Sequence, residues 1–217
     1  MRNSWVPLSA SALVIGAMCL VFGSVLDPAE AGSSASSTMV VVNDEGFRWV
    51  AMATMYTFAS IALTMGVPSV LVLLQERGRR TGMVAAVVFT IGAVGTCGYA
   101  MLMVFFRAMV TAGAVRDAEF DRVLEDRGLL VFLYGWIGSF YLGLLLLGIA
   151  LLLSRTVTWW VPALMIGFVA LLPVSSHLGP VAGALEIMAL AVAFTGVAAA
   201  AVSQDGRAVA SRRPAYA

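Results

Sequence analysis

Five runs of about twenty or more apolar residues, near 5–26, 49–74, 83–106, 129–153 and 181–202, dominate this chain. In a bilayer each backbone N–H and C=O must be satisfied within its own segment, so runs of this length fold as membrane-crossing α-helices of about 20 residues. A water-soluble fold has no way to bury so many. Composition agrees, with 61% hydrophobic and 12% charged residues, against about half and a quarter in soluble domains. A sixth run, "WWVPALMIGFVALLP" within 158–176, is short for a span on its own.

Charge placement decides whether to count it. With the N-terminus inside, six spans put Arg2, Arg77, Arg79, Arg80, Arg155, Arg207, Arg212 and Arg213 on the inner side, against only Glu76 and Asp205. The outer side then holds five arginines and nine acids. Cytoplasmic loops carry the arginine excess, and five spans would send the arginine-rich tail outside. The expectation is an all-α polytopic membrane protein: a six-transmembrane-helix bundle spanning residues 1–217 as one integral domain, both termini cytoplasmic. The first run also has the makings of a cleavable leader, with Arg2 ahead of an apolar core and Ala29-Glu30-Ala31 after it; we read it as a retained anchor.

Several functions drop out early. Net charge is +1, too small a field to recruit nucleic acid. All 13 cations are arginine, which removes Schiff-base chemistry on lysine. Cys19, Cys97 and the single His177 make no usual zinc, haem or iron–sulfur ligand set. No phosphate loop, dinucleotide fingerprint or nucleophile elbow is present, so no cofactor is expected.

The two long outer loops differ. Residues 27–48 contain "AEAGSSASSTM" and read as flexible. Residues 107–128 read as an amphipathic helix on the outer mouth, with Phe120, Val123 and Leu124 on one face. Asp117, Asp121 and Glu125 share another face at i, i+4, i+8. Such a stripe can hold a divalent cation, but a solvated face balanced by Arg116 and Arg122 is the preferred reading.

The interior polar groups carry the functional reading, because an ionisable residue inside a span is a functional-site hypothesis by default. Glu186 follows Pro180 by six residues, which places it about 9 Å into the last span at 1.5 Å per residue. Tyr56 and Thr57 in the second span, Tyr99 in the third, and Tyr134 and Trp136 in the fourth reach a comparable depth, with His177 in the preceding loop. Small residues around Glu186 and on the third and fourth spans permit close helix approach. Together these predict an outward-facing aromatic pocket around Glu186.

The order of features from "DRGLLVFLYGWIGSFYLGLLLLGIALLLSRTVTWWVPALM" through "LGPVAGALEIMALAVAF" resembles a domain-of-unknown-function family of small six-span bacterial integral membrane proteins. The resemblance covers residues 126–202 best: a glycine-rich fourth span, the Arg155 loop before an aromatic pair, and an acid early in the last span. It implies a bacterial inner-membrane protein with Glu186 at a family position, and lends no activity.

Two functions follow as expectations. Burial in apolar surroundings disfavours the charged form of a carboxyl group in general, so Glu186 is a candidate catalytic acid. Tyr56, Tyr99, Tyr134, Trp136, Thr57 and His177 would contact a lipid-like or isoprenoid substrate, with aromatic faces stabilising a developing carbocation. That is the chemistry of a membrane cyclase or isomerase. The alternative is a non-enzymatic carrier, immunity or resistance factor, or complex subunit, monomeric or homo-oligomeric, in which Glu186 only ties helices together.

Overall fold

The structure is a computed structural model and describes residues 5–28, 35–75, 78–114, 123, 125–178 and 180–211. Side chains of residues 35–36, 173–178, 180–182 and 208–211 are not among those described. Seven helices make up the described chain: α1 Trp5–Leu26, α2 Ala35–Asp44, α3 Gly46–Leu73, α4 Arg79–Thr111, α5 Arg127–Ser154, α6 Trp160–Leu178 and α7 Pro180–Ser211. Five of them (α1, α3, α4, α5 and the Gly183–Arg207 part of α7) are long and apolar enough to cross a membrane. The protein is therefore an all-α, multi-pass membrane protein.

Its surface says the same. Ile61, Phe105, Val131 and Leu153 are among many large apolar side chains left exposed on the outward faces. Water would not tolerate so continuous an apolar exterior, whereas lipid does. The buried core is instead built where helices face each other, around Leu13, Leu63, Phe89, Leu144, Leu151 and Phe194.

The long helices form a closed ring. α1 packs on α3, α3 on α4, α4 on α5, α5 on α6, α6 on α7, and α7 returns to α1. Small residues set the tightest seams. At the α4–α5 crossing a Cβ on Gly92 would lie 2.1 Å from the Phe140 nitrogen, and one on Gly143 would lie 2.3 Å from the Phe89 Cα. Any side chain there drives the backbones apart. Phe89 stacks obliquely on Phe140 (5.4 Å) and on Phe194 of α7 (6.0 Å), joining α4, α5 and α7 inside the ring.

The α1–α3 seam solves a problem of its own sequence. Pro68 lies inside α3 and cannot donate to the carbonyl one turn back, so the helix opens there. Ser9 of α1 fills the opening. Its Oγ donates to the Met65 carbonyl (2.8 Å) and accepts from the Ser69 amide (3.0 Å), the two groups an unbroken helix would join directly. A side chain from one helix thus completes the hydrogen-bond ladder of another.

Sequence-predicted boundaries fall within a few residues of the helices, which run further at α4 and α7. Two segments between the apolar runs depart from expectation. Within the Ser/Ala-rich stretch α2 forms, packing Met39 and Val42 against α3 and α4. The 107–128 stretch is not one helix among the described residues. α4 carries on to Thr111, and α5 starts at Arg127 with the Asp126 side chain accepting from the Leu129 amide at 2.8 Å. An aspartate in that position is a strong helix N-cap, and it fixes the start of α5. Phe120 and Leu124 lie outside the described residues.

Candidate functional site

The ring leaves a cavity of about 290 Å3, to which all six long helices contribute. Its walls are mainly aromatic. Tyr56 comes from α3 and Tyr99 from α4, with ring centroids 6.5 Å apart. From α5 come Phe132, Trp136 and Phe140, spaced by four and so aligned on one helical face. Phe132 meets Trp136 edge to face at 5.5 Å. Tyr141 packs on Phe140 (5.7 Å) and on Phe168 of α6 (5.9 Å), bringing α6 into the wall.

The helices hold these rings firmly. A Cβ on Gly95 would lie 2.5 Å from the Trp136 Cβ, and one on Gly23 would lie 2.7 Å from the Tyr56 ring. Both rings are seated on bare glycine backbone. Above them Trp49 donates from Nε1 to the Met103 carbonyl at 2.8 Å, pinning α3 to α4.

Glu186 borders this cavity. It precedes the lining residue Ile187 and sits one turn before the lining residue Leu190, and it is close enough to Tyr141 for the two to interact electrostatically. Its Oε1 is buried and has no hydrogen-bond partner among the described residues. A buried polar atom without a partner costs about 1–3 kcal/mol; Thr64 Oγ1 and Gln204 Oε1 share that state, and Glu186 is the ionisable one of the three. Arg107, the residue best placed in sequence to neutralise it, is turned elsewhere. Its guanidinium lies against Gly46 at the start of α3.

The other expected residues are dispersed. Thr57 donates to the Ala53 carbonyl of its own helix (2.9 Å) and faces a separate, more open recess between α3 and α4. Tyr134 is 65% exposed on the outer face of α5, away from the cavity. His177 falls near the end of α6, where side chains lie outside the described residues. Of the acidic stripe, Glu125 is exposed in the turn before α5, and Asp117 and Asp121 lie outside the described residues.

The structure thus brings Tyr56, Tyr99 and Trp136 into one cavity wall, with Glu186 one turn from the lining residue Leu190. Sequence reasoning missed Tyr141, Phe132, Phe140 and Phe168 there. The four-residue spacing of Phe132, Trp136 and Phe140 was the available signal. No protein-family model, curated protein or solved structure matches this chain, so what the cavity does has to be argued from its own geometry.

Proposed function

We propose that the protein is a membrane-embedded enzyme of the cyclase or isomerase type, which acts on a lipid-like or isoprenoid substrate by acid catalysis with Glu186 as the acid. The observation that carries this reading is the unpartnered Oε1 of Glu186 at the edge of an aromatic cavity. The cavity volume, about 290 Å3, sits at the lower end of the range of about 300–1,000 Å3 usual for ligand pockets. It suits a short prenyl or alkenyl segment rather than a whole phospholipid.

In the proposed step the Glu186 carboxyl gives its proton to one carbon of a substrate double bond, and the other carbon becomes a cation. The faces of Tyr56, Tyr99 and Trp136 favour positive charge. Attack by a second double bond closes a ring, or a simple shift moves the first. Loss of a proton from the neighbouring carbon to the Glu186 carboxylate then restores the acid. No electrons leave or enter, so the reaction needs no cofactor.

The test uses purified protein in nanodiscs with an all-trans prenyl alcohol. A product of unchanged mass and altered retention by gas chromatography is expected from the parent protein and not from Glu186→Gln. Full turnover by Glu186→Gln, or no product at all, would sink the proposal.

We further propose six spans in a bacterial plasma membrane, with both termini cytoplasmic. Two observations support this. α6 is a continuous helix of 19 residues, which rises about 28 Å against a hydrocarbon core of about 30 Å. The arginine excess also falls on one side only under that count.

A further inference from the structure

Among the described residues, the charged side chains that act on the cavity tyrosines are carboxyl groups. Asp27, just beyond the end of α1, interacts electrostatically with both Tyr56 and Tyr99, and Glu186 does so with Tyr141. Three cavity tyrosines are thus under the influence of carboxyl groups from two ends of the chain. Arg107 is held away against Gly46, and Arg48 pairs with Glu45 on the exposed outer turn.

The walls add to the same preference. An aromatic face is electron-rich, and a cation within about 6 Å of the ring centre is attracted to it, more strongly where water is excluded. Tyr56 and Tyr99 converge on the cavity from neighbouring helices, and Trp136 faces them from α5. A neutral hydrocarbon gains nothing from a carboxyl group at its side, and an anion is repelled by it.

We propose that this cavity selects positive charge, and that it binds a lipophilic ammonium with the nitrogen between the Glu186 carboxylate and the rings of Tyr56, Tyr99 and Trp136. The hydrocarbon tail lies against Phe132, Phe140 and Phe168. This rests on the reading above that the cavity is the ligand site, and extends it to the charge the ligand bears. It also gives that reading a chemical echo. Once Glu186 has delivered its proton, the cavity holds a carboxylate beside a carbocation, and a stable ammonium presents the same pair of charges.

The experiment is calorimetric titration of the full chain in phosphatidylcholine nanodiscs, with empty discs subtracted, using decyltrimethylammonium, decanol and decyl sulfate. Saturable binding of the ammonium at least about tenfold tighter than either other probe is expected. Glu186→Gln should weaken the ammonium about tenfold and leave decanol unchanged, and Trp136→Leu should weaken the ammonium several-fold. If Glu186→Gln does not survive purification, Trp136→Leu carries the comparison. Equal affinity for the three probes, or ammonium binding indifferent to both substitutions, overturns the inference. Ammonium selectivity without turnover of a prenyl alcohol removes the acid-catalysis reading and leaves this one standing. Turnover without ammonium selectivity does the reverse.

Discussion

Ser9 Oγ stands 3.0 Å from the backbone nitrogen of Ser69, a residue on another helix, and takes the hydrogen bond that a carbonyl would normally take. The same hydroxyl donates to the Met65 carbonyl. Removing it strands the buried Ser69 amide and takes a donor from the partly buried Met65 carbonyl. Ser9→Ala should destabilise the protein by about 1–2 kcal/mol, read as a lower unfolding midpoint. In a Pro68→Ala background, where α3 can close its own ladder, the same substitution should cost much less. Additive effects in that double-mutant cycle would show that the hydroxyl and the proline break are unrelated.

The α4–α5 seam predicts a contrast among glycines. Gly92→Ala and Gly143→Ala place a Cβ at 2.1 Å and 2.3 Å from backbone atoms of the facing helix, and each should cost about 1–3 kcal/mol through overpacking. Gly138 has nothing within 4 Å of its Cβ position among the described residues. Gly138→Ala should be neutral, or stabilising by up to about 1 kcal/mol through helix propensity. Thermal unfolding of the three variants gives the answer, and equal losses at all three positions would contradict the seam.

For Glu186 the stability test differs from the activity test. An acid that bound helices together would leave partners stranded when replaced. Among the described residues its Oε1 has no partner to strand. Glu186→Leu should therefore match or exceed the parent in thermal stability while abolishing turnover. A marked fall in stability would return Glu186 to a structural role.

Topology can be read in intact cells with Cys19 and Cys97 replaced by alanine. Under the six-span arrangement Ser33→Cys should react with a membrane-impermeant maleimide and Ser211→Cys should react only after lysis. Labelling of Ser211→Cys in unbroken cells would reverse the proposed placement of the C-terminus.

Hydropathy made the helices legible because the bilayer imposes one requirement on every span, an apolar run of sufficient length. It was silent on where helices continue past the apolar run, so α4 and α7 exceed their predicted ends at Phe106 and Val202, reaching Thr111 and Ser211. α2 escaped notice because its anchoring contact, Val42 against the Trp49 and Met103 cluster, is tertiary.

Depth was the reasoning behind the site, and depth has no azimuth. Tyr134 and Trp136 lie two residues apart, about 200° around a helix of 3.6 residues per turn. One therefore faces outward when the other lines the cavity. Thr57 is about 100° from Tyr56 and meets the recess on the other side of α3. Which of two neighbours faces inward depends on how each helix is rotated by its glycine contacts, and those were visible only as small residues with no assigned partner.

The ring is sealed by its first and last members, α1 against α7, and Glu186 rides on the last one. A chain made from its N-terminus therefore erects the Tyr56, Tyr99 and Trp136 walls before the acid is synthesised. The bilayer receives that awkward carboxyl only when an interior exists to take it. Until then α1 waits with one flank unclaimed, and a chain halted before α7 is an open arc with no pocket to fill.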